Sequence, residues 1–222
     1  MIRALVFDFD GLILETEVPA LESWAEIYRE HGHEIPMDEW HALLGSARGF
    51  DPGEHLAALV GEGFDVTAAR ARRTSRRDEL IAALDVMAGV REYVADARRM
   101  GLRLGVASSS TRGWVMGHLE RLGIHEHWDV VKCREDVPRT KPAPDLYLAT
   151  LDALSVPGDA AIAFEDSPNG IASAKAAGMW CVAVPNVLTQ GLDLTQADVR
   201  LASLADVGLE ELLRVVTSST NT

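Results

Sequence analysis

The chain has 222 residues, with 34 acidic against 21 basic side chains, a formal net charge of −13 and an apolar share of 47%. A surface this acidic excludes duplex nucleic acid and anionic membranes as natural partners, and so large an apolar share excludes a disordered chain. Two cysteines, Cys133 and Cys181, cannot build a disulfide framework, and the apolar N-terminal run stops at Asp8, short of a signal-peptide core or a membrane span, so the expected setting is the cytoplasm.

Arg3 to Phe9 is an apolar run too short for a helix; it ends in an acidic cluster and Gly11 and predicts the first strand. A helix follows, with Val18, Leu21, Ala25 and Tyr28 at the spacings of one apolar face and Glu22, Glu26 and Glu30 opposite. His31-Gly32 stops it. From there to Leu84 the pattern is helical throughout: Glu39 to Leu44, Glu54 to Val60 and Thr67 to Leu84. After Gly89 the pattern changes to alternation. Helix 90–100, strand Leu102 to Ala107, helix Thr111 to Leu122 and strand Trp128 to Val131 come first. Helix Pro144 to Leu154, strand Ala160 to Phe164, helix Asn169 to Ala177, strand Trp180 to Val184 and helix Leu209 to Val216 complete the chain, ahead of a polar tail. Repeated αβ alternation with short turns predicts an α/β fold with a mostly parallel, Rossmann-like sheet. The expected organisation is a core of residues 1–14 plus 86–222, with 15–85 inserted as an all-α cap over the carboxyl ends of the strands, where ligands bind in such sheets.

Four strand ends collect the polar groups. Asp8 and Asp10 are two apart on an extended segment and share a face, where their charges repel unless a cation or proton intervenes. The second strand ends in Ser108-Ser109-Ser110. Lys141, one of only three lysines with Lys132 and Lys175, precedes Pro142, which biases it towards extended backbone. Another strand ends in Glu165-Asp166-Ser167 just before a helix. Carboxylates for a hard cation, hydroxyls and one lysine suit a phosphate-and-magnesium site.

Asp8-Phe9-Asp10-Gly11-Leu12-Ile13-Leu14, Ser108, Lys141-Pro142 and Glu165-Asp166 resemble the four ordered motifs of the haloacid dehalogenase superfamily. The closest part is the phosphatase and β-phosphoglucomutase-like subfamily, and the resemblance runs from Ile2 to about Val184. It implies a Mg²⁺-dependent phosphatase of a small phosphorylated metabolite, a sugar phosphate or nucleotide-like monoester. Asp8 would be the nucleophile that forms an aspartyl-phosphate, and Asp10 the acid and then the base. Mg²⁺ would be held by the Asp8 carboxylate, the Asp10 backbone carbonyl and Asp166, with Glu165 reaching it through water. Ser108, Ser109 and Lys141 would bind phosphoryl oxygens. Glu15 stands where the family commonly has Asp, which implies retuned hinge contacts.

The mutase alternative is weakened because its relatives carry a cap histidine near Pro19-Ala20 and a cap lysine, whereas this insert has neither there. A phosphonatase also uses a cap lysine, and a dehalogenase has no need of Asp10. A non-catalytic phospho-ligand binding module would be expected to lose motif residues that are all kept. On the cap side, Arg48 and Thr16 are the candidates for substrate contact, while Trp24 and Trp40 read as cap core. The Arg-rich helix carrying Arg70, Arg72, Arg73, Arg76 and Arg77 reads as a solvated face. Even so, residues 61–110 form a net-positive stretch, and Arg72 and Arg76 are expected to attract an anionic substrate. A monomer is expected, with no nucleic-acid or membrane partner.

Overall fold

The computed structural model describes residues 1–45 and 49–218. Six strands form one parallel sheet: β1 (Ala4–Phe7), β2 (Arg103–Ala107), β3 (Val130–Lys132), β4 (Ala161–Glu165), β5 (Trp180–Ala183) and β6 (Val199–Arg200), in the order β3-β2-β1-β4-β5-β6. All of β1 and β4 is buried, because a parallel strand is covered on both faces and its apolar run is continuous. The two faces differ in size. Leu5, Phe7, Ile162, Phe164 and Val182 fill one side, where Phe7 stacks on Phe164 with ring centres 4.6 Å apart and meets the edge of Trp128 at 5.4 Å. Ala4, Val6, Ala161, Ala163 and Ala183 line the other, against Leu146, Tyr147 and Leu151 of α7 (Asp145–Leu154) and Ile171 and Ala174 of α8 (Pro168–Ala176). The strand order reverses at β1. The crevice that such a reversal opens beyond the strand ends is therefore bordered by β1, β2 and β4.

Beyond one-residue shifts, the sheet differs from expectation in three places. β1 stops at Phe7 rather than Phe9. β3 starts at Val130 rather than Trp128, because the Trp128 indole is drawn into the aromatic core and Asp129 accepts the Leu104 N–H at 2.7 Å. The two-residue β6 escapes a periodicity argument altogether; it is recruited by pairing with Val182 and Ala183.

Between β1 and β2 lie α1 (Glu17–Glu30), α2 (Met37–Leu43), α3 (Pro52–Val60), α4 (Val66–Ala82) and then α5 (Val90–Arg99), with no strand among the described residues of this stretch. Caps fix two of these starts: Asp51 accepts the Gly53 and Glu54 N–H groups with Pro52 at the first turn, and Asp65 accepts that of Ala68. The buried side of α1 is Pro19, Ser23, Trp24, Ile27 and Tyr28, rotated from the face expected of Val18, Leu21 and Ala25 because the larger Trp24 and Ile27 set the helix. Trp24, Ile27, Tyr28, Trp40, Leu44 and Leu56 make a separate small core, and the Tyr28 hydroxyl donates to the Pro52 carbonyl at 2.8 Å. The chain leaves and re-enters the sheet region side by side: Leu14 bridges Val86, and the Met87 N–H donates to the Ile13 carbonyl at 2.9 Å. The remaining helices, α6 (Arg112–Arg121) and α9 (Leu209–Ser218), pack on the large-residue face. No helix among the described residues is long and apolar enough to cross a membrane.

Candidate active site

Two strand ends, those of β1 and β4, bring Asp8, Glu165 and Asp166 together, each with a carboxylate oxygen within 4.8 Å of the others and all three buried. Lys141 comes in from the loop before α7 and lies between two of them, its Nζ 2.7 Å from Asp8 Oδ1 and 2.7 Å from Glu165 Oε1. Strand parity explains the second contact. Glu165 shares its face of β4 with Ala161 and Ala163, so it points at α7, where the Tyr147 hydroxyl donates to Glu165 Oε1 at 2.5 Å. Gly170 leaves the room for it, since a Cβ there would collide with the Glu165 carboxylate. Glu165 therefore anchors Lys141 as well as bordering the acidic cluster.

The protonation of these groups follows from burial. Asp8 is pushed up to about 7, chiefly by burial, with Lys141 pulling it down and Glu165 and Asp10 adding to the rise. Asp166 is held well above the usual carboxylate range by burial and then by Asp8, Glu165 and Glu17. For Lys141, burial works against the ammonium, but Asp8 and Glu165 outweigh it and raise its pKa. One lysine cannot neutralise three buried carboxylates.

A divalent cation fits the remaining deficit. Asp166 Oδ1 is buried with no hydrogen-bond partner, while Oδ2 accepts from Asn186 Nδ2 at 2.8 Å, so one oxygen is oriented and the other left free. Asn186 follows β5 and carries no motif by which the sequence could announce it. Gly11 is required here: its φ is +77°, and a Cβ would stand 2.5 Å from Asp166 Oδ2. The donor set is all oxygen, as hard cations prefer.

Asp10 is held apart from that cluster. Its Oδ1 accepts from Thr16 Oγ1 at 2.8 Å and Trp114 Nε1 at 2.9 Å, and its Oδ2 from Ser110 Oγ at 2.6 Å and Ser108 Oγ at 3.2 Å. Four donors from three segments fix this carboxylate, so the Asp10 side chain is available for proton work rather than for the cation. Ser108 is buried with its hydroxyl turned to Asp10, and Ser109 Oγ donates to the Gly45 carbonyl at 3.3 Å, tying the second strand end to the helical insert. Thr16 lines the cavity but commits its hydroxyl to Asp10. Arg48 lies outside the described residues.

A cavity of about 400 Å³ opens over these groups, lined by Asp8, Asp10 and Ser109 below and by Glu17, Ala20, Arg73 and Arg77 of the insert above. The α4 arginines divide by face, which corrects the expectation for Arg72 and Arg76. Those two point away, pairing with Glu30 at 2.7 Å and Glu26 at 3.1 Å, whereas Arg73 and Arg77 reach the cavity. Arg77 also lies over the Trp114 ring, 4.2 Å from its centre. Trp24 and Trp40 are buried in the insert's own core, as expected.

The sequence and the fold recur in known proteins. Residues 5–184 match the family model described as haloacid dehalogenase-like hydrolase. The chain is 42% identical over 216 residues to YhcW of Bacillus subtilis, covering 96% of this chain and 97% of that protein. It is 33% identical to validoxylamine A 7'-phosphate phosphatase of Streptomyces hygroscopicus subsp. limoneus, covering 93% and 96%. The crystal structure of CbbY from Rhodobacter sphaeroides in complex with phosphate superposes with a TM-score of 0.74 at 30% identity, covering 96% and 99%. With this match over most of its length, and with the acidic cluster and the tethered second aspartate at strand ends and the lysine reaching in from the loop before α7, the chain belongs to the haloacid dehalogenase-like hydrolases.

Proposed function

We propose that this protein is a phosphatase that hydrolyses the phosphate monoester of a small phosphorylated metabolite, a sugar phosphate being the favoured class, with Mg²⁺ as cofactor. The single observation that carries this reading is the division of labour between two aspartates. Asp8 borders the acidic cluster and touches Lys141, while Asp10 is held by four donors at the cavity wall. Asp8 Oδ attacks phosphorus as the bond to the leaving oxygen breaks, and Asp10 delivers its proton to that oxygen. Asp10, now a carboxylate, takes a proton from the water that attacks the aspartyl-phosphate; phosphate leaves and Asp8 is regenerated. Lys141 offsets the repulsion between an anionic nucleophile and an anionic substrate. Asp8, Asp166 and the Asp10 carbonyl would hold Mg²⁺, which when bound supplies positive charge to the phosphoryl group. The segment 15–85 acts as the cap, with Leu14 and Val86 as its paired hinge.

The names and ligands of the relatives support the reading: one is a phosphatase of a phosphorylated compound and one binds phosphate. Hydrolysis is favoured over mutase transfer because Ala20, which lines the cavity, offers no acid or base to a second sugar hydroxyl. The test is release of phosphate from p-nitrophenyl phosphate with and without Mg²⁺, in the native protein and in Asp8→Asn. Mg²⁺-dependent turnover that Asp8→Asn abolishes is expected. No turnover at all, or full turnover in Asp8→Asn, removes the proposal, and isomerised sugar phosphate without free phosphate replaces it with a mutase.

A further inference from the structure

The cavity holds a cation that the chemistry at Asp8 does not use. Arg73 and Arg77 are one turn apart on the same side of α4 and both line the cavity. Arg77 is matched: its guanidinium pairs with Asp78 at 2.7 Å and lies over Trp114. Arg70, one turn before Arg73, and Arg72 and Arg76, which point away from the cavity, all pair with carboxylates. Arg73 alone among these five has no ion pair and no hydrogen bond with the described residues; its Nε is buried without a partner, and the Trp24 ring lies 6.0 Å from its guanidinium.

We propose that Arg73 is a second anion subsite, so that the substrate carries, beside the phosphate that is cleaved, a further phosphate or carboxylate that the Arg73 guanidinium binds. The inference rests on the phosphatase reading and narrows its substrate class. The transferred phosphate has its own cation in Lys141, which touches Asp8 directly. Glu17 and Asp78 favour the Arg73 charge through space, but neither forms an ion pair or hydrogen bond with it, so the guanidinium donors are left without a carboxylate partner. A half-buried guanidinium with unpaired donors is destabilising, and burial together with the neighbouring Arg77 outweighs Asp78 and Glu17 and lowers its pKa to about 10, which still leaves it charged at neutral pH. The hydroxyls of a neutral sugar would accept from its donors and leave the charge uncompensated. A phosphate or carboxylate does both, and the planar fork of guanidinium donors matches either geometry.

The experiment compares kcat/KM on three substrates of one carbon skeleton: glucitol 6-phosphate, gluconate 6-phosphate and glucitol 1,6-bisphosphate, with shorter polyol series of the same design to cover chain length. The native protein is expected to prefer the carboxylate or the bisphosphate by roughly 10- to 100-fold, the value of one charge-assisted hydrogen bond. That ratio should fall towards one in Arg73→Met and be partly retained in Arg73→Lys, with Arg73→Gln as the alternative should the Met variant not fold. Preference for one anion alone identifies the group, and both outcomes support the subsite. No preference in the native protein, or a preference undiminished in Arg73→Met, overturns it. Turnover of p-nitrophenyl phosphate separates the two levels: if the native protein hydrolyses that compound but shows no preference in the series, only the Arg73 assignment falls. Without such turnover the phosphatase reading itself fails.

Discussion

The indole N–H of Trp114 donates to Asp10 Oδ1 at 2.9 Å, so a residue in the first turn of α6 holds the carboxylate that the proposed reaction uses as its acid. Thr111 starts that helix by accepting the Trp114 backbone N–H, and Arg77 covers the indole from the helical insert. Trp114→Phe keeps the ring and its stacking but removes the N–H. Because a hydrogen bond to a charged group contributes about 1.5–3 kcal/mol, kcat/KM for an alkyl phosphate should fall by roughly 10- to 100-fold. The fall should be much smaller for p-nitrophenyl phosphate, whose leaving group departs without protonation, and kcat/KM reports the step in which that group leaves. Equal losses on both substrates would show that Trp114 shapes the site without positioning Asp10.

Lys141 is matched to Asp8 and Glu165 rather than merely near them, with both contacts at 2.7 Å in a fully buried setting. Lys141→Met leaves two carboxylates facing each other, and breaking a buried pair in this way costs about 3–5 kcal/mol. Removing a donor to the developing phosphoryl charge should also lower kcat by about 10²–10³-fold. Thermal unfolding distinguishes pairing from simple packing. Lys141→Met combined with Glu165→Gln should be less destabilised than the sum of the two single variants. Additive losses would mean that the lysine and Glu165 act separately.

The parts legible in the sequence are those that a strand determines by itself. An apolar run ending in a carboxylate marks Asp8 and Asp166, since a buried parallel strand delivers its last residues to one edge of the sheet. Asp10, Ser108 and Lys141 are found through the order of the motifs. What escapes is facing. On α4 only Ala69 and Ile81 are buried, so no apolar stripe sets the rotation of a helix carrying five arginines, and the sequence cannot tell Arg73 from Arg72. Trp114 and Asn186 are invisible for a related reason: each acts by one polar atom on a residue more than 15 positions away, a relation fixed by tertiary packing. Glu165 lies between the two cases. Its place is legible, but its bond to Tyr147 depends on which face of β4 meets α7.

The packing of Glu165 can be tested through a glycine. A Cβ at Gly170 would run into the Glu165 carboxylate, so Gly170→Ala must displace the anchor of Lys141. A loss of about 1–3 kcal/mol is expected from the overpacking alone, together with reduced kcat. Gly117, in the exposed part of α6, has nothing within 4 Å of a built Cβ. Gly117→Ala should therefore raise stability by about 0.5–1 kcal/mol, as alanine does in a helix interior. If the two substitutions behave alike in thermal unfolding, the Gly170 contact has no special role.

Acid groups at the site couple stability, pH and cation. Asp8 titrates at about 7 against an ordinary 3.8, and Glu17 at about 8 against 4.5, both chiefly because burial disfavours their charged forms. The folded state thus binds these two protons more tightly than the unfolded chain. Without a divalent cation, these groups make stability fall as pH rises from about 4 towards about 8. His118, whose pKa is lowered chiefly by burial, works in the opposite direction, but only around and below its ordinary 6.5. A cation held by Asp8 and Asp166 binds their ionised forms and displaces protons. The rise in melting temperature on adding Mg²⁺ should therefore be larger at about pH 8 than at about pH 5.5, and titration of Mg²⁺ near pH 7 should release protons into the solution. Calorimetry in two buffers of different ionisation enthalpy measures that release directly. A melting-temperature gain that is the same at both pH values, with no protons released, would mean that the cation is not held by these carboxylates.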